Sequence, residues 1–445
     1  MERSSESTVI ASEANRGGSG LPIRYLLVFC VFVLSALAYV DRTNLSIASI
    51  SIESEFGINK VIFGHVLSAF LIGYAAFQIP AGLFARRMGP RLSLALLGAW
   101  WGVFIFLIAC IPYKATAALT ILLALRFILG MGEAVMYPAA TQFVERWFPA
   151  RERGRANGIV FAGVGLGSTI TPPLVTWIIA HHGWRASFVF SAIAGAVGGL
   201  IWYLVARDTP EQHNSVSAAE RDLILRERRA VGGTKKPPVP WARIFSSRSV
   251  QAMLVSYFAY LYIVWIFFGW MYTYMAEAHG VNLKASALYT MLPFIAMTIG
   301  CLTGGTVCDW IAARFGLRMG RCGLPALAFV LTAIFLLAGS YVHSPLAAAV
   351  LLAGGGGSLY LSQSSYWAVC ADIAGENTSV LAGVINMGGQ IGGAVTTSLT
   401  PLIAARFGWE AAFGTAAALG LIGAGTWLLV DPKCPLVPEN ETLIA

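Results

Sequence analysis

A chain of 445 residues that is 57% hydrophobic and 12% charged has about half the ~25% charged fraction of an ordinary soluble domain. Its mean hydropathy of +0.69, 47 glycines and 13 tryptophans suit a helical membrane protein, where glycine is tolerated inside spans and tryptophan collects at the interfaces. A soluble two-domain enzyme is excluded, and the long unbroken apolar runs exclude a barrel of short alternating strands. The net charge of +8 is distributed among short loops, so no nucleic-acid partner is expected. The seven cysteines are scattered without paired metal-ligand spacing, so neither a disulfide framework nor a metal site is expected.

The Gly/Ser-rich residues 1–24 read as an N-terminal tail. The apolar run after Arg24 reaches Ala36-Leu37-Ala38, a superficial signal-peptide ending, but continues into Tyr39-Val40-Asp41-Arg42 as a first membrane helix. Apolar segments at about 25–50, 62–85, 92–111, 117–145, 156–180 and 186–206 predict six helices, a first bundle over 25–206. The polar stretch 207–249, with Arg221 to Arg229 and Lys235-Lys236-Pro237-Pro238, reads as a surface helix and a Pro-limited linker. Segments at about 250–276, 285–312, 322–341, 346–371, 380–405 and 410–430 predict a second six-helix bundle over 250–430, followed by a polar tail, 431–445. The fold expected is an all-α membrane protein of twelve transmembrane helices in two pseudo-symmetric six-helix bundles.

Of the 30 Lys and Arg residues, 23 fall on the side of this arrangement that carries both termini and the central linker. Five (Lys60, Lys114, Arg185, Lys284, Arg406) fall on the other, and Arg42 and Arg126 lie within helices. Positive residues concentrate in the cytoplasm, so both termini are expected there, with the chain in the cell (inner) membrane. An internal repeat supports the division into halves: Gly183-Trp184-Arg185-Ala186-Ser187-Phe188 returns as Gly408-Trp409-Glu410-Ala411-Ala412-Phe413, shifted by 225 residues. At the same shift Gly158, Gly163 and Gly167 meet Gly383, Gly388 and Gly392, predicting close packing on matching faces of helices 5 and 11. Duplicated halves suggest alternating access to a midplane site.

Several motifs occur in the order Tyr39 to Ala48; Gly73-Tyr74 with Gln78-Ile79-Pro80-Ala81-Gly82; Arg126-Phe127 leading to Gly130-Met131-Gly132-Glu133-Ala134; Trp147-Phe148-Pro149 with Glu152-Arg153-Gly154; and Asp372-Ile373-Ala374-Gly375 with Gly383 and Asn386. With these the chain resembles the major facilitator superfamily, and within it the anion:cation symporter group of sialin-like and bacterial sugar-acid carriers, over nearly its whole length. The pattern departs at Arg86, where the loop after helix 2 usually carries an acidic residue; Asp309 occupies the equivalent place in the second half.

Independently of that likeness, Asp41, Arg42, Arg126 and Glu133 stand in predicted spans, where each charge costs at least ~2.5 to 3.5 kcal/mol on insertion scales. Arg126 and Glu133 are seven residues apart and project from one face of helix 4, toward a central cavity. With both carboxylates ionised the quartet is neutral; with both protonated it carries +2 and attracts an organic anion. Asp41 and Glu133 are the expected proton-coupling groups, and Arg42 and Arg126 the expected carboxylate-binding groups, because guanidinium stays charged and can bind bidentately. The alternative is that the four merely pair as ion bridges holding the half-bundle together.

Where the resemblance implies a cavity, Tyr74 and Gln78 on helix 2 and Asn386 and Gln390 on helix 11 stand at i, i+4 spacing and offer hydrogen bonds to hydroxyl groups. Interhelical bonding is the alternative for Asn386 and Gln390. Ser365 and Trp367 belong to the polar-aromatic run Ser364-Ser365-Tyr366-Trp367 on helix 10, which could instead be part of an interfacial belt.

Gly163-Val164-Gly165-Leu166-Gly167 lies inside an apolar helix with no preceding strand and implies packing rather than a nucleotide site. Asn377 and Asn440 match the glycosylation pattern on the expected cytoplasmic side. The function expected is proton symport of a small organic anion, a sugar acid by resemblance, with no cofactor beyond the coupling proton, membrane lipid as surroundings, and a monomeric state. Proton-driven efflux or anion exchange, and a non-transporting receptor, are the alternatives.

Overall fold

The computed structural model describes residues 22–112, 117–230, 241–374, 378–434 and 436. Lys114, Lys235 to Pro238, Gly375, Asn377 and Asn440 lie outside them. Among the described residues, ten helical segments are long and apolar enough to cross a membrane. One of these, Lys60–Ala109, is 50 residues long, about 75 Å at 1.5 Å per residue and more than twice the hydrocarbon thickness. It turns back at Gly89, whose φ of 81° no L side chain adopts readily. The two arms, 60–88 and 90–109, are α2 and α3, after α1 (Ile23–Ile47). The first half continues as α4 (Ala118–Glu133 and Met136–Trp147), α5 (Ala150–His182) and α6 (Trp184–Val205). The second comprises α7 (Arg248–Ala278), α8 (Leu283–Phe315), α9 (Leu324–Tyr341), α10 (Pro345–Leu361 and Gln363–Ala374), α11 (Thr378–Phe407) and α12 (Trp409–Thr426). With α11 these segments make the twelve-helix, two-bundle architecture expected.

Local chemistry explains where helices deviate from the sequence expectation. The first apolar run does not reach residue 50 as one rod: it stops at Ile47 and a separate helix, Ser49–Phe56, follows. The break in α4 falls at Ala134 and Val135, because Pro138 has no N–H to donate and its ring clashes with the carbonyl four residues back. The six positive-φ residues described are glycines in matching turns of the two halves: Gly57 with Gly280, Gly89 with Gly316, Gly183 with Gly408.

The glycine repeat is a packing device, with one correction. A Cβ on Gly163 or Gly167 would come within 2.4 and 2.3 Å of the Phe32 and Ala36 carbonyls of α1, and one on Gly392 within 2.2 Å of the Phe258 carbonyl of α7. On Gly388 it would meet the Leu254 side chain at 2.7 Å. Gly158 and Gly383 face open space, so the matched small face is shorter than the sequence repeat.

The two ends of the bundle differ. At the α1–α2 end, polar contacts cross between halves: Lys60 Nζ to Glu277 Oε2 at 2.5 Å, Ser49 to Thr273 at 3.3 Å, and His65 to Ser398 at 2.9 Å. Ser68 also contacts Thr397 and Ser398 at 2.7 Å each. At the opposite end, the networks below stay within a half or join it to the linker. Glu220 of the linker helix Ala218–Ala230 accepts from the backbone N–H groups of Ile23 and Arg24 and from the Arg24 guanidinium, capping α1.

Position 86 carries no acid, and the carboxylate found at the α2–α3 turn is Asp208, just after α6. Its Oδ1 accepts from the Arg91 N–H at 3.0 Å and lies 3.7 Å from Arg146. It also occupies the space a Cβ on Gly89 would need. The second half uses Asp309 itself, 2.8 Å from Arg321, which also holds Asp372 at 3.0 Å.

Candidate functional site

Asp41 and Arg42 on α1 and Arg126 and Glu133 on α4 come together in the first half, 0 to 3% exposed. Seven residues separate Arg126 from Glu133 by about 10 Å along the helix axis, so each of the adjacent α1 residues meets a different partner. Arg42 Nε donates to Glu133 Oε1 at 2.5 Å. Arg126 Nη1 lies 3.8 Å from Asp41 Oδ2, beyond hydrogen-bond length. One pair is hydrogen-bonded and the other is not: both Asp41 carboxylate oxygens, and Nε and Nη1 of Arg126, have no hydrogen-bond partner, whereas in the bonded pair Arg42 Nη2 and Glu133 Oε2 alone lack one.

Backbone contact between α2 and α4 sets this level. A Cβ on Gly130 would sit 2.0 Å from the Phe70 carbonyl, and one on Gly73 2.2 Å from that of Phe127. The helices therefore touch where Arg126 and Phe70 stand opposite. Arg42 lies over the rings of Tyr39 (4.7 Å), Tyr74 (5.0 Å) and Phe70 (5.4 Å), and Nη1 donates to the Tyr39 hydroxyl at 3.3 Å. Arg126 lies over Phe70 at 4.7 Å. Aromatic faces replace part of the hydration the two cations lost on burial.

Of the residues predicted to read hydroxyl groups, Tyr74 joins the quartet, buried beside Arg42. Gln78, one turn further along α2, is half-buried. Gln390 stands at the α2–α11 seam, beside an apolar groove of about 260 Å³ lined by Leu71, Ile72, Ala75, Met387 and Ile391, and its Oε1 has no hydrogen-bond partner. Asn386, a turn before it, is half-buried. Ser365 is fully buried, its hydroxyl toward Cys308 Sγ at 3.5 Å. Trp367 packs edge-on against Tyr257, with centroids 5.6 Å apart. A second apolar groove, of about 400 Å³, runs between α9 and α12 along Leu327, Val330, Leu421 and Leu428. Neither groove reaches the four charges. Sequence places the quartet toward a central cavity; in this conformation it is closed to solvent.

The sequence reading missed the aromatic surroundings. Tyr39 contacts Phe268 of α7 across the halves at 5.4 Å. Tyr257 and Tyr260 stack at 5.2 Å, and Tyr260 donates to Gln363. Their one available signal was the i, i+3 and i, i+4 spacing of aromatics, which a buried helix carries for packing alone.

Two duplicated six-helix bundles enclosing compensated charge define a membrane carrier. The Major Facilitator Superfamily profile matches residues 31–397, and the chain belongs to that superfamily: it is a multi-pass transporter and not an enzyme. It is 31% identical over 420 residues to a probable sulfoacetate transporter of Cupriavidus necator, covering 94% of this chain and 96% of that protein. It is 29% identical over 422 residues to a D-galactonate transporter of Escherichia coli, covering 92% and 95%. Among solved structures, a bacterial homologue of the human lysosomal transporter Spinster superposes with a TM-score of 0.75 at 15% identity, covering 92% of this chain and 97% of that one.

Proposed function

We propose that this protein carries a small organic anion, a sugar acid by its likeness to the galactonate transporter, together with protons by alternating access, in the inner membrane with both termini cytoplasmic. The single observation that carries the reading is the inequality of the two buried pairs. Arg126 has unused donors facing an Asp41 that has unused acceptors, so each is ready for another partner. A proton on Asp41 removes the charge that competes for Arg126, and a ligand carboxylate can then take the guanidinium fork. Bound anion in turn favours the proton, because the coupling is reciprocal. Glu133 enters second, since its proton must first displace Arg42. Tyr74 beside Arg42 supplies a hydroxyl that a polyhydroxy acid would hydrogen-bond.

The test uses purified protein in proteoliposomes with pH and membrane potential set separately, following labelled D-galactonate and sulfoacetate. Wild type accumulates one of them against its gradient when the outside is acid. Asp41→Asn and Glu133→Gln exchange it across the membrane but do not accumulate it. Normal accumulation by both variants would refute the assignment of the proton sites.

A further inference from the structure

Phe70 belongs to no predicted site and is fully buried. Its ring is shared by two guanidiniums, with Arg126 at 4.7 Å and Arg42 at 5.4 Å from its centroid. Two buried cations on one ring are held by its quadrupole rather than by two carboxylates alone. The backbone that carries the ring is fixed in place, because the Phe70 carbonyl is pressed against Gly130 of α4. Beside it the Arg126–Asp41 distance stays at 3.8 Å although both groups have unmet hydrogen-bonding capacity. Two opposite charges with free donors and acceptors would close that gap unless something else held one of them.

We propose that Phe70 is a positioning residue that holds Arg126 off Asp41, so that the guanidinium stays open to a carboxylate ligand and Asp41 stays open to a proton. The proposal rests on the proton-coupled reading above. The charged groups facing Asp41 are Arg126 and Glu133 from α4 and Arg42 beside it. From α2, the rings of Phe70 and Tyr74 cover Arg42, and Phe70 also covers Arg126. Of the other helices against α1, α5 presents Gly163 and Gly167, α6 commits Ser187 and Ser191 to Asn44, and α7 sets Phe268 on Tyr39. Arg126 is the group whose approach changes most when Phe70 is altered, since it rests on that ring and pairs with Asp41.

The test reads the protonation of Asp41 without any transported ligand. Infrared difference spectra of the full-length protein in lipid follow the carboxylic acid C=O stretch against pH, with Asp41→Asn assigning the band. In Phe70→Leu the guanidinium closes on Asp41 and the midpoint of that band moves to lower pH by about one unit, tenfold in proton affinity. Phe70→Tyr keeps the ring and the wild-type midpoint. A trifluorinated phenylalanine at position 70 preserves the shape while weakening the quadrupole, and moves the midpoint in the same direction by a smaller amount. It also serves if Phe70→Leu fails to fold. An unmoved midpoint in the trifluorinated protein, or equal shifts in Phe70→Leu and Phe70→Tyr, overturns the proposal. Because no substrate is involved, that result is separable from normal accumulation by both Asp41→Asn and Glu133→Gln, which would remove the functional reading instead.

Discussion

The closed pair offers the sharpest energetic test. Arg42 and Glu133 join α1 to α4 at 2.5 Å with side chains 3% and 0% exposed. Glu133→Leu strands a desolvated guanidinium and Arg42→Met strands a desolvated carboxylate; each should cost about 3–5 kcal/mol, the range for breaking a buried pair by removing one partner. Replacing both at once removes both stranded charges and leaves apolar groups of similar volume, a change that is often neutral. The double variant should therefore be more stable than either single one, with a coupling of at least ~3 kcal/mol in the double-mutant cycle. Unfolding by SDS titration in mixed micelles, followed by the intrinsic fluorescence of the 13 tryptophans, measures the three differences. Losses that simply add would show that the two side chains do not depend on each other and would refute the pairing on which the coupling mechanism rests.

Arg126→Lys keeps the charge but loses the planar fork, so KM for the transported anion should rise about tenfold, the equivalent of ~1.4 kcal/mol, with a smaller change in the maximal rate measured by initial uptake. Glu53 lies outside the spans, its Oε1 buried without a hydrogen-bond partner. Burial pushes its carboxyl up from 4.5 to about 7, with Lys60 opposing and Glu277 adding to the rise. A raised acid stabilises the fold fully below its unfolded value and loses that contribution as pH rises through the folded value. The thermal midpoint should therefore decline as pH rises from 4.5 to about 7, and Glu53→Gln should flatten that part of the curve; an unchanged slope would rule Glu53 out. Gly130→Ala places a methyl 2.0 Å from the Phe70 carbonyl, forcing α2 from α4 at about 1–3 kcal/mol. It should lower thermal stability and uptake together, whereas Gly158→Ala, in the α5 helix and facing open space, should leave uptake unchanged and raise stability by about 0.5–1 kcal/mol through helix propensity.

Much of this molecule is legible before any coordinates. Twelve spans, their division at the linker and the matching turns follow from hydrophobic runs and a 225-residue repeat, because in lipid every backbone polar group must be satisfied inside its own helix and the run length is set by the bilayer. The four buried charges are legible for the same reason: a cost of kilocalories per mole makes an ionisable residue in an apolar run conspicuous. The ring of Phe70 was not legible, being one of 25 phenylalanines in a chain where phenylalanine is ordinary lipid-facing or core material. Nor could spacing show that Asp208, far along the chain, accepts from the Arg91 N–H beside the α2–α3 turn.

The amino-acid sequence by itself determined the membrane architecture, the duplicated halves and which charges lie within the spans, since these depend on local transfer free energy and chain periodicity. Only the tertiary structure decided that Arg42 closes on Glu133 while Arg126 stands off Asp41, and that the halves are joined by side chains at the α1–α2 end. Those facts depend on how closely α1, α2 and α4 approach, a distance set by glycine contacts and one aromatic ring between residues far apart in sequence, where tenths of an ångström separate a made hydrogen bond from an open one.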